Sequence, residues 1–505
     1  MNGGAQRTEI LKREAERHIL GPLRVHGWAP VVEHASPSGD FLIISATRGE
    51  REHRVALLYS SSTDNAVYKA LAQQVEQIFF QGEPYHVEQY TRGIEIPVRP
   101  SREFGAELIV WNRETGDGKL SPAHDDTAHA GAAPPRQRKL LSEEPLAAIW
   151  LRLRQLQSVI LAEKLVRTRA EREEIKLSAE QIRQKAEGIA YALRNAADYF
   201  TTRDFRNVSQ RVLNLYYGSI AFASAEMLAS PSGASTLAEI EKSTIQGHGL
   251  YTVDGAKDGL ENLIVGGIYN GFFPTWLRTS KLGNPAFPQA RARKFEDIPK
   301  QPADSWITVE QLFASIPEVG DLFTDIFASK PRWVKPVYDS LTNMGLRGID
   351  QKPLNRSYVL LVDYSARLTQ ADIAAFPGPI GEITAIASKE SGRQFRASIE
   401  HPGHQFWWGA LKIHHSPFER SALIRPIFGT IDDFRCISLV LLYALSIVVR
   451  YRPSVWRRVQ EGDLDHMRAL AEAFLAVVER VLPEQFLETL SGNPLSVHQP
   501  GSFFS

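Results

Sequence analysis

The sequence predicts an α+β protein, with an α/β N-terminal domain followed by a mostly α-helical body. Three observations predict it. The first 111 residues alternate helical and strand periodicities. Residues 112–145 mix Gly, Ala, Pro, Asp and His without periodicity between two strongly patterned regions. Beyond Pro145, apolar residues recur at three- and four-residue steps. At 505 residues the chain exceeds what one core usually serves, and 43% hydrophobic against 23% charged residues is the balance of a folded protein. The resulting division is an N-terminal domain at 1–111, a flexible linker at 112–145, a helical domain at 146–492 and a tail at 493–505.

In chain order, an amphipathic helix is expected from Thr8 to Leu20, ended by Gly21 and Pro22. Two strands, Asp40 to Thr47 and Glu52 to Tyr59, form a hairpin that turns at Arg48 to Arg51. A second helix starts near Thr63 or Asp64 and carries Val67, Leu71, Val75, Ile78 and Phe79 on one face, and Ala106 to Trp111 reads as a last strand. In the body, Ile182, Ile189, Leu193 and Phe200 mark one helix. Val212, Leu215, Tyr216, Ile220, Ala223 and Met227 mark the next, from Val208 to Ala229, with Asn207 or Ser209 as its N-cap. Gly247 to Pro299 reads mostly as loop, with a short strand within Leu263 to Phe273. Ser357 to Tyr364 and Arg393 to His401 read as strands, and Arg435 to Tyr451 and Leu464 to Leu482 as the closing helices.

Composition narrows the function. Lys plus Arg and Asp plus Glu are both 58, so no global basic excess is present and a nucleic-acid surface has to be a local patch. The single cysteine, Cys436, excludes an intrachain disulfide and every cysteine-rich zinc site, which fits a reducing compartment. The N-terminus lacks the apolar core of a signal peptide. The longest apolar run, Ile437 to Val449, falls short of the ~20 residues of a membrane span. A cytoplasmic protein with a buried core helix, and no membrane partner, is expected.

Three blocks stand out in the body: VLNLYYGSIAFASAEML from Val212 to Leu228, QGHGLY from Gln246 to Tyr251, and LLYALSIVVRYRPSVW from Leu441 to Trp456. In order and separation they resemble those of YaaC-like proteins, over residues of about 146–492. The resemblance implies an architecture but transfers no catalytic residue, because that family has no settled activity. The helix, hairpin, helix, strand order of the N-terminal domain resembles the restriction-endonuclease-like fold, which the first 111 residues would carry in degenerate form. Nucleases of that fold hold a divalent cation with a carboxylate on one hairpin strand and a carboxylate-x-lysine on the next. Asp40 suits the first position, but it faces about Tyr59, with Leu57, Leu58, Ser60 and Ser61 nearby, none of which ligates a hard metal as a carboxylate would. Glu52 and Arg54 lie at the other end of the hairpin, about 20 Å away at strand rise.

His248 stands between two glycines, where backbone amides could meet a phosphate or the glycines could simply permit a turn. Arg450 and Arg452, with Arg457 and Arg458, form the densest basic group beside aromatic residues, suited either to phosphate contact or to offsetting a helix C-terminus. His401, His404 and His414 are candidate metal ligands in an aromatic-rich segment that equally suits a packed cluster. The Arg-x4-6-His spacing of HEPN-type ribonucleases occurs at Arg13 with His18, Arg48 with His53 and Arg396 with His401, none of them on the expected bundle helices. Neither a P-loop nor G-x-G-x-x-G is present, so no nucleotide cofactor is expected. The expected function is a non-catalytic interaction or nucleic-acid-associated component, partnered by DNA or RNA or by a protein encoded nearby, in a bacterial system such as phage defence. The alternative is a nuclease, either metal-dependent through Asp40 in the N-terminal domain or a metal-independent ribonuclease through the C-terminal body, at His248 or His401.

Overall fold

A computed structural model describes residues 3–49, 51–82, 87–114, 138–201, 207–339, 342–343, 355–386, 392–404, 406–418, 421–493 and 495–498. The chain forms two compact units, residues 1–132 and 133–505. Most of the 112–145 segment, including part of the basic run Arg136 to Lys139, lies outside the described residues, as does much of the tail. Arg138–Leu141 is a strand that pairs in parallel with Leu495–His498.

The N-terminal unit is a five-stranded sheet covered on both faces. Its strands β1 (Ala29–Ala35), β2 (Phe41–Arg48), β3 (Arg51–Leu58), β4 (Gln77–Phe80) and β5 (Val98–Pro100) lie in the order of their numbers. β2 alone runs against the others. The two-residue alternation of strands explains the burial of both faces. Leu42, Ile44, Val55, Leu57 and Phe79 pack on one side with Leu11, Ile19, Phe104 and Trp111. Ile43, Ala56, Leu58, Ile78 and Phe80 pack on the other with Tyr68 and Leu71.

Three expectations for this unit are corrected. Gly21 and Pro22 do not end the first helix, which runs from Gly3 to Val25 through a π-turn at Glu16–Leu20. The Gly21 N–H reaches back to the Glu16 carbonyl, and this wider turn accommodates a proline that has no N–H to donate. Ile78 and Phe79 belong to β4 rather than to the preceding helix, Asn65–Ala72, because burial on both sides of the sheet overrides a spacing that also fits a helix. Ala106 to Trp111 is part of a helix, Phe104–Glu114, and not a strand. The apolar positions that matter are Phe104, Leu108 and Trp111, at helical spacing, while the β-branched Val110 is exposed.

The second unit is built on helices Ala179–Thr201, Val208–Ala229, Phe434–Tyr451 and Asp465–Ser491, which share one large apolar core. Asn207 is the N-cap of the second of these, accepting from the Gln210 N–H, whereas Ser209 accepts from the Trp456 indole. Phe434–Tyr451 has the length and composition of a membrane span, yet 78% of it is buried inside this unit, so it is a core helix as its sequence suggests. Pro453 does not merely stop it but opens a further helix, Pro453–Glu461, from the first-turn position where proline is tolerated. Pro483 likewise fails to end the last helix, whose next turns bury Phe486, Leu487 and Leu490.

The loop expected at 247–299 contains strands Leu250–Val253 and Ile264–Gly267 and a helix, Phe272–Thr279. A six-stranded antiparallel sheet built from residues 333–424 adds more strand than the sequence suggested. It includes Arg356–Asp363 and Arg393–Glu400, near their expected bounds.

Candidate functional site

The three sequence blocks meet at one place. Tyr216 and Tyr217 come from helix Val208–Ala229, His248 from the loop that follows helix Leu237–Ile245, and Tyr443 and Arg450 from helix Phe434–Tyr451. The His248 Nδ1 lies 2.8 Å from the Tyr216 hydroxyl, and its ring centroid is 5.7 Å from those of both Tyr216 and Tyr443. The Tyr443 hydroxyl donates to the Leu250 carbonyl at 2.9 Å, and Arg450 Nη1 donates to the Tyr217 hydroxyl at 3.0 Å.

The loop holding His248 is rigidly seated. The Phe272 and Phe273 N–H groups donate to the Gly247 and His248 carbonyls, and Ile268 donates to Gly249. A Cβ on Gly249 would stand 2.2 Å from Pro274 Cδ, and the residue has a φ of +76°, so only glycine fits this approach.

Burial sets the charge states. It raises the Tyr216 hydroxyl well above the usual tyrosine range and pushes Tyr443 up to about 12. Burial first, and the Arg450 guanidinium second, lower the His248 pKa. The arrangement is a neutral phenol and a neutral imidazole joined by one hydrogen bond beside a fixed cation. The neutral imidazole can accept a proton, and Arg450 can contact an anion.

The profile of the YaaC-like protein family matches residues 154–490, well over half of the chain and inclusive of all three blocks. The chain belongs to the YaaC-like family. No curated protein and no solved structure matches it.

Within the YaaC-like body, the basic group is mostly engaged. Arg452 pairs with Asp254, and Arg458 with Asp258 at 2.5 Å and Asp463 at 2.6 Å, while Arg457 is exposed. The first two pairs pin the Asp254–Gly259 loop over a cavity of about 250 Å³ lined also by Leu260, Leu263 and Val448. Of the expected phosphate-binding residues, His248 and Arg450 stand at one place, and Arg452 and Arg458 hold this loop.

The three candidate metal histidines do not converge. His401 Nε2 lies 2.9 Å from the Ser357 hydroxyl and its Nδ1 3.2 Å from the carbonyl of His404, whose own side chain is exposed. His414 is bound elsewhere, 2.6 Å from Glu318 and 3.1 Å from Gln485, stacked on Phe434. Among the described residues no group of three or more His, Cys, Asp or Glu could hold a metal ion. Asp40 sits at the head of β2 with its carboxylate bonded to Ser38 at 2.5 Å and Arg7 at 3.1 Å.

Sequence reasoning missed a buried ionic network in the YaaC-like body. Arg435 donates to Glu226 at 2.6 Å, to both Asp433 oxygens at 2.7 and 3.0 Å, and to Thr489 at 3.0 Å. The Trp276 indole donates to the other Glu226 oxygen at 2.8 Å. Burial alone would raise Asp433 and lower Arg435, but the Arg435 guanidinium keeps Asp433 low, and Asp433 and Glu226 together keep Arg435 high. The available signal was one carboxylate in the apolar FASAEML segment and one guanidinium at the head of an apolar helix, a pattern that calls for mutual neutralisation.

Proposed function

We propose that this protein is a non-catalytic, nucleic-acid-associated component, in which the N-terminal unit is a degenerate restriction-endonuclease-like domain that holds nucleic acid without cutting it. The register of the β2–β3 hairpin carries this reading. Phe41 pairs with Leu58, and the Tyr59 N–H bonds to the Asp40 carbonyl, so Asp40 faces Tyr59. Leu57 and Leu58 are buried apolar residues where a nuclease of that fold needs its second carboxylate and lysine. The Asp40 carboxylate is already bonded to Arg7 and Ser38. The two-sided sheet with its single reversed strand supports the likeness in fold. The setting that suits this combination is a bacterial multi-component system such as phage defence, with a protein partner encoded nearby.

The test incubates full-length protein with labelled single- and double-stranded DNA and RNA, in Mg²⁺ or EDTA, read for both mobility shift and cleavage. A salt-sensitive shift without cleavage is the expected result. Mg²⁺-dependent cleavage lost in Asp40→Ala contradicts it.

A second reading, a metal-independent ribonuclease, is favoured by one observation: the neutral His248 imidazole beside Arg450. RNA cleavage indifferent to EDTA and lost in His248→Ala would establish that reading instead.

A further inference from the structure

The β-ladder of the body places two arginines opposite each other. Strand Trp333–Tyr338 pairs antiparallel with Ala422–Ile424, Trp333 facing Ile424, and the next pair outward is Arg332 and Arg425, joined by a bond from the Arg425 N–H to the Arg332 carbonyl at 2.7 Å. Like charges directly opposite on a ladder repel. Both side chains line a cavity of about 350 Å³ with Asp304, Trp306, Gln311 and Phe428, a size suited to a small ligand.

Neither guanidinium forms an ion pair with a carboxylate among the described residues. Arg332 Nη2 donates to the Pro426 carbonyl at 2.7 Å, while its buried Nε has no partner there. The Arg332 pKa is lowered to about 10, by burial first, then by Arg425, with Asp304 offsetting only part. Lys330, on the neighbouring wall, is neutralised by Asp372 at 2.7 Å and supplies no comparable excess. The cavity edge is also strained. Phe428, at a φ of +47°, is held in the left-handed region with its ring 5.2 Å from that of Phe287.

We propose that this cavity binds a phosphate-bearing small molecule, its phosphate held between Arg332 and Arg425 and its remainder against Trp306 and Phe428. Two adjacent guanidiniums match a dianion better than a carboxylate, and planar forks suit phosphate oxygens. A bound phosphate would also supply the counter-charge that the ladder lacks. This site shares no residue with the His248 site or with the N-terminal hairpin, so it does not depend on the nucleic-acid reading.

The experiment is thermal unfolding and calorimetric titration of the full-length protein with inorganic phosphate, with AMP, and with acetate at matched ionic strength. Phosphate or AMP at about 10 mM is expected to raise the melting temperature where acetate does not, because a ligand bound only by the folded state stabilises it. A response to AMP exceeding that to phosphate identifies a nucleotide-like ligand; equal responses identify the phosphate group alone. Arg425→Gln, at a half-buried position, is expected to fold and to weaken binding about tenfold or more; Arg332→Lys, which keeps the charge but loses the fork, is expected to weaken it less. Absence of any response to phosphate and AMP, or an undiminished response in folded Arg425→Gln, overturns the proposal.

Discussion

Arg435 is buried and Arg332 half-buried, and the chain treats the two guanidiniums oppositely. Arg435 is met by Glu226 and Asp433 on a core helix and its neighbours, and its pKa is driven up. Arg332 is met by a second arginine and an unfilled hydrogen bond, and its pKa is driven down to about 10. The difference separates architecture from readiness to bind. A compensated buried charge ties elements together, whereas an uncompensated one lining a cavity stores an unfavourable interaction that an anion can relieve.

The largest effect is expected at Glu226. Glu226→Ala leaves Arg435 short of one carboxylate and strips the Trp276 indole of its acceptor, so a loss of about 3–5 kcal/mol in unfolding free energy is expected from denaturant melts. A loss below about 1 kcal/mol would show the network to be ornamental. Replacing Glu226 and Arg435 together by Leu and Met should recover only part of that loss, because Asp433 then loses its guanidinium partner.

His248 supplies an intermediate case, a half-buried titratable group facing Tyr216 and Tyr443 and one cation, Arg450. Its folded pKa lies below the unfolded value of about 6.5, so the unfolded chain binds more protons below that value. Its stabilising contribution is therefore full above about pH 6.5 and lost as pH falls through 6.5 toward the folded pKa. Melts between pH 7.5 and pH 5.5 should show declining stability, and His248→Gln should flatten that part of the profile. A slope unchanged in the variant would assign the effect to other groups.

The smallest effect is expected at Arg425. Arg425→Gln removes a repulsion rather than an attraction, so unfolding free energy without ligand should hold steady or rise by up to about 1 kcal/mol. A loss above about 1 kcal/mol would mean that Arg425, like Arg435, is structural.

Local patterns made much of the fold legible. Helix Val208–Ala229 declared itself by its apolar stripe and Asn207 cap, and the β2–β3 hairpin by alternation, down to Asp40 facing Tyr59. Two of the six strands in the large sheet were readable, because each offers an uninterrupted run. Trp333–Tyr338 was hidden by Pro336, and Ala422–Ile424 by its shortness. His248 was legible through its flanking glycines, of which Gly249 sits tightly on Pro274 and Gly247 takes a φ of +100°. Its partners Tyr216 and Tyr443 read as core positions, since periodicity cannot tell a packed phenol from one bonded to an imidazole. Arg332 and Arg425 were invisible because the ladder, rather than any local spacing, brings them together.

The most direct test of the proposed function is the affinity of the full-length protein for a labelled DNA duplex and a labelled single-stranded RNA, measured in EDTA from about 50 to 200 mM salt and repeated in Mg²⁺ with the nucleic acid recovered for size. Binding is expected to weaken steadily with salt, as phosphate neutralisation requires, with the nucleic acid recovered intact under both conditions. Failure to bind either nucleic acid at the lowest salt, or a shortened product in Mg²⁺, would contradict it.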